Sequence, residues 1–139
     1  MSDRMELFFS KYATALDNGD AEALSDLSVR PMIFVSDETK RICHSHKEVV
    51  EVNSNLIAGL GGGGVVKHQP TVTQSMRLSD TVLFVSVRWE FFDTNDAKLF
   101  SCICSYTLQI ENDDSVKVLV LVVDDEQKII TELMKQAQE

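Results

Sequence analysis

The stretch "FFSKYATALDNGDAEALSDL", Phe8 to Leu27, decides the fold. With Met5 ahead of it, the apolar residues Phe8, Phe9, Tyr12, Ala15 and Leu16 recur at helical spacing, so a first helix with one apolar face is predicted. Gly19 is placed to end it and Asp20 to cap a short second helix that turns Leu24 and Leu27 inward. Pro31 stops that helix. The apolar runs "MIFVS", Met32 to Ser36, and "KRICH", Lys40 to His44, then read as two short strands joined at "DET". In "SHKE", Ser45 and Glu48 form a capping box ahead of Val49 and Val50, and the stripe of this third helix runs through Ile57 and Leu60 to the glycines.

Beyond the glycines the period changes from helical to two. Residues 66–124 are long segments rich in Val, Thr, Phe and Tyr, separated by the turn compositions "LSD", "DTNDA" and "ENDDS". Leu83, Val85, Val87, Trp89 and Phe91 form one face of a strand, and Phe100, Cys102, Cys104, Tyr106, Leu108 and Ile110 one face of the next. The expected fold is α+β: a strongly curved antiparallel sheet with about three N-terminal helices on its concave face. A short C-terminal helix carries Ile129, Ile130, Leu133 and Met134. Phe8, Tyr12, Leu27, Phe34, Trp89, Tyr106 and Leu108 are expected in the core, with a cavity between helices and sheet that touches Tyr12.

At 139 residues the chain reads as one domain, 1–139. Thirteen basic against twenty-two acidic residues give a formal charge of −9, which repels phosphate backbones and anionic membrane surfaces, so neither nucleic acid nor membrane is an expected partner. The N-terminus has no sustained apolar stretch, and the longest apolar run, Val118 to Val123, is too short to span a bilayer. Three scattered cysteines, Cys43, Cys102 and Cys104, fit reduced, buried thiols and a cytoplasmic location.

Four residues compete for metal or acid–base roles: Cys43, His44, His46 and His68. Neighbours on one strand rarely converge on an ion, so no metal is expected, and His44 is read instead as a possible general base. Gly59, Gly61 and Gly64 satisfy G-x-G-x-x-G, but they follow a helix instead of opening one, so no nucleotide cofactor is expected, and none of another kind. The glycine run is read as a loop, either simply flexible or gating a pocket. Asn53 lies on the inner stripe of the third helix and is a candidate ligand contact, as are Phe34, Trp89 and Tyr106.

The segment "KYATALDNGDAEALSDL", with the strand after Pro31, resembles the N-terminal signature of the nuclear transport factor two-like superfamily, the cone fold of ketosteroid isomerase and SnoaL-like cyclases. The resemblance implies a cone that encloses a small apolar molecule. It also implies that Tyr12 occupies the position of a tyrosine that donates a hydrogen bond to a substrate oxyanion. The position of the family's base falls on Ser36, and that of its second acid near Ser105 or Tyr106, so Asp37 or His44 would supply the base here. Two functions follow: a ligand-binding domain, or a small isomerase, dehydratase or cyclase using Tyr12 with Asp37 or His44. The outer sheet face, with Ser86, Arg88, Glu90, Ile103, Ser105, Thr107, Val118, Val120 and Val122, is expected to pair two copies as a homodimer.

Overall fold

The computed structural model describes residues 2–37 and 39–124. Two helices, α1 (Ser2–Asp17) and α2 (Ala21–Ser25), are followed by the hairpin strands β1 (Ser28–Val35) and β2 (Lys40–Cys43) and then by a third helix, α3 (His46–Gly62). Four long strands follow: β3 (Lys67–Arg77), β4 (Val82–Phe92), β5 (Lys98–Ile110) and β6 (Val116–Asp124). The expected C-terminal helix lies outside the described residues. No helix among them is long and apolar enough to cross a membrane.

The helix ends are written in the sequence and form as chemistry requires. Gly19 takes φ +62° after α1, while Gly19 N–H and Asp20 N–H donate to the carbonyls of Leu16 and Ala15. The same pair of bonds closes α3, from Gly64 (φ +88°) to Gly61 and from Val65 to Leu60, so both ends are Schellman caps. The second cap corrects the expected glycine loop: Gly61 and Gly62 are helical, and only Gly63 to Val66 connect α3 to β3. Asp20 accepts from Ala23 N–H at 3.0 Å and Ser45 from Glu48 N–H at 3.2 Å, as N-caps do.

The strands form one six-stranded open sheet in the order β2-β1-β6-β5-β4-β3. It is mixed, not antiparallel throughout, because β1 and β6 run parallel. The chain between them, α3 and four strands, is long enough for β6 to return beside β1 in the same direction. β1 also begins at Ser28, earlier than the Met32 expected, with Pro31 inside the stretch where its register on β6 breaks. A residue without an N–H fits there and would fail in a regular ladder.

The inner face carries the core, with Leu83, Val85, Val87, Trp89, Phe91, Tyr106 and Leu108 all buried. From α1, Met5, Phe8, Phe9, Tyr12, Ala15 and Leu16 are buried with them, and α1 lies along β3. Leu27 and Phe34 are half-buried and pack against this core. One assignment inverts in β6. Its register on β5 slips so that Leu108 faces Val118 while Thr107 faces Val120, leaving Leu119 as an extra residue. The bulge reverses parity. Val118, expected on the outer face, is therefore buried, while Val122 stays outside at 38% exposure.

Candidate functional site

Tyr12 reaches the sheet because α1 places it one turn from Phe8 and Phe9 and one turn from Leu16. Its ring centroid lies 5.6 Å from Trp89 and 5.7 Å from Tyr106. Trp89 Nε1–H donates to the Tyr106 hydroxyl at 2.8 Å, satisfying a buried indole N–H inside the core. Around these rings lies a cavity lined also by Leu56, Phe91 and Val123. The space open to the centre of a water molecule is about 10 Å³, room for about one water. The space beside Tyr12 is therefore small.

Leu56 and Val123 also line a second pocket of about 250 Å³ between β1, β2 and α3, which places it next to the first. Phe34 and Arg41 stand directly opposite in the β1–β2 ladder and share its inner face. Ser36 is buried just past the end of β1, where its N–H donates to Thr39 O at 2.7 Å and its Oγ accepts from Thr39 N–H at 3.1 Å. Val52, Asn55 and Thr39 complete the wall. Arg41 Nη2 donates to Glu51 at 2.8 Å and lies 3.9 Å from Glu48. That hydrogen bond holds the Glu51 carboxyl below the ordinary carboxylate range.

The structure brings Tyr12, Trp89 and Tyr106 together and sets Phe34 in the adjoining pocket. It does not bring the other expected residues to them. Asp37 and His44 are exposed and line neither cavity. Asn53 is buried but turns toward α2, donating from Nδ2 to Ser25 Oγ at 3.0 Å, so it ties two helices together. Arg41 is the residue the sequence reading missed. Its signal was the alternation in "KRIC", where buried Cys43 implies that Arg41 also points inward and Ile42 outward.

Two further histidines have structural partners. His46 Nε2 lies 2.7 Å from Glu22, with Asp26 beside them, which links α2 to the start of α3. His68 is buried, and Asp17 Oδ1 lies 2.8 Å from both its backbone N–H and its Nδ1. Burial pushes the His68 imidazole below its ordinary value, while the hydrogen bond to Asp17 pulls it back upward. Asp17 would be disfavoured in the last turn of α1 by the helix dipole, and His68 offsets that. None of the three cysteines is in a disulfide and all three are buried, and burial pushes the Cys43 thiol up.

Residues 2–126 match the model of a family described as NTF2-like protein (DUF6841). No curated protein matches the sequence. Among solved structures, an NTF-2 like protein of unknown function from Shewanella oneidensis MR-1 is similar at 13% identity, over 89% of this chain and 98% of that one, with a TM-score of 0.69. A domain of unknown function with a cystatin-like fold from Nostoc punctiforme PCC 73102 is 10% identical over 99% and 96%, with a TM-score of 0.70. A ketosteroid isomerase-like protein from Erwinia carotovora atroseptica SCRI1043 is 12% identical over 88% and 93%, with a TM-score of 0.64.

Proposed function

The chain belongs to the NTF2-like protein (DUF6841) family, and on that premise we propose that it is a small-molecule-binding domain. Its site is the pocket between β1, β2 and α3 together with the cavity at Tyr12. In this reading the sheet is the cone of the superfamily, and a compact apolar ligand enters past Phe34 with one end toward the aromatic rings. The observation that carries the reading is that Leu56 and Val123 line both spaces, so a ligand in the outer pocket rests against the wall of the inner one. Apolar walls with a few placed polar groups are what small-molecule sites have.

The acid–base alternative asks for a base within reach of a ligand held at Tyr12. Asp37 and His44 both lie on the surface outside the two cavities, so the binding reading is the better supported. NMR titration with small aromatic and alicyclic compounds tests it. The expected result is saturable shifts at Phe34, Leu56 and the Trp89 indole N–H, abolished by Leu56→Trp; shifts confined to other surfaces would refute it.

The outer sheet face belongs to the same proposal as the contact between two copies. Ile33 stands beside Val120, and Val35 beside Val122, on the face where Ile103 is 46% exposed. A second copy of the chain would cover this apolar strip.

A further inference from the structure

We infer that the pocket between β1, β2 and α3 selects an apolar small molecule bearing a single carboxylate, held at the rim by Arg41. The inference rests on the binding reading above and adds the class of ligand. Of the eight described residues that line the pocket, Arg41 is the one with a charged side chain; the others are apolar or neutral polar. In a chain of formal charge −9, a single cation among these described lining residues marks what the pocket receives.

The geometry of the guanidinium fits this role. It is held from the α3 side through one nitrogen, Nη2, by Glu51 at 2.8 Å and more distantly by Glu48 at 3.9 Å. A guanidinium has five N–H donors in a planar fork, so one edge remains for a bidentate carboxylate. Neither Glu48 nor Glu51 lines the pocket, and the Glu51 side chain is 52% exposed. An ion pair so solvated contributes little, and Glu51 can yield to a ligand that is partly shielded from water.

The same charges limit the ligand to a monoanion. With Glu51 swung into solvent, the single charge of Arg41 matches one carboxylate, whereas a phosphate dianion brings a second negative charge that no described lining residue offsets and that Glu48, 3.9 Å from Arg41, opposes. The body of the ligand lies against Phe34, Val52 and Leu56. A pocket of about 250 Å³ suits one or two rings, near the lower end of the size range of ligand sites.

The test uses matched acid and amide pairs built on naphthalene, indane and cyclohexane, titrated into the full chain at neutral pH by calorimetry and by NMR. At least one acid is expected to bind about tenfold or more tighter than its amide, the worth of a charge-assisted hydrogen bond. Arg41→Gln should bring the affinity for the acid down to that of the amide, and Glu51→Gln, which removes the competitor, should raise the affinity for the acid. If acid and amide bind wild type equally, or if Arg41→Gln keeps the preference for the acid, the carboxylate inference fails while the pocket reading stands. If no acid and no amide in the set shifts the pocket residues, the pocket reading fails and takes the inference with it.

Discussion

Two glycines three residues apart should respond to the same substitution with opposite sign. Gly61 is helical, and a Cβ built on it meets nothing within 4 Å, so Gly61→Ala adds no clash and removes the entropy a helical glycine loses on folding. The expected gain is about 0.5–1 kcal/mol. Gly64 sits at φ +88°, and a Cβ there also meets open space, so the cost of Gly64→Ala is all backbone. A left-handed alanine costs about 1–2 kcal/mol, of which about 0.4–1 kcal/mol is regained from a stiffer unfolded chain. The net loss is then about 1 kcal/mol, and the two variants should differ by about 2 kcal/mol, several degrees in melting temperature for a chain of this length. Urea unfolding followed by the fluorescence of Trp89, the one tryptophan in the chain, measures both. If both variants shift stability in the same direction, α3 does not end in the cap described, and the glycines are the loop expected from sequence.

Two further substitutions test the sheet and the buried histidine. Val118→Lys buries a charge in the core and should unfold the protein, whereas Val120→Lys, across the bulge, should leave a folded chain that sediments as a monomer; two equally folded variants would refute the parity change at Leu119. His68 is lowered from its ordinary value of 6.5, so the unfolded chain binds the extra proton. Its contribution to stability is therefore present above about pH 6.5 and is lost as the pH falls from there through the lower folded-state value. Asp17→Asn removes the group that pulls His68 upward, so the His68 titration followed by NMR should move lower still; an upward move would contradict burial as the dominant cause.

The pattern of apolar residues along the chain was sufficient for the order and type of the described helices and strands, though not for where β1 begins or α3 ends. Helix caps at Asp20 and Ser45, the glycine stop at Gly19 and the turns at 78–80, 93–97 and 111–115 are local chemistry, decided by a few neighbouring residues. The alternation of Leu83 to Phe91 gave the buried face of β4 in advance for the same reason: side-chain direction in a strand is set by counting. Tyr12, Trp89 and Tyr106 were legible as a group because all three lie on faces that periodicity marks as inward.

What needed the tertiary structure was everything that depends on two distant segments meeting. The parallel junction of β1 with β6 joins segments about ninety residues apart, and no local signal carries strand direction. The bulge at Leu119 reassigns Val118 because a single extra residue reverses every later side chain, and only pairing with β5 reveals it. Asn53 looked inward on the α3 stripe, yet the packing of α2 gave it Ser25 as a partner. Arg41 entered the pocket because the β1–β2 register sets it opposite Phe34. Asp17 and His68 are fifty-one residues apart, and their pairing exists only where the end of α1 crosses the start of β3. Periodicity decides which face a residue occupies; which groups then meet across that face is set by register and packing, where long-range contacts outweigh local preference.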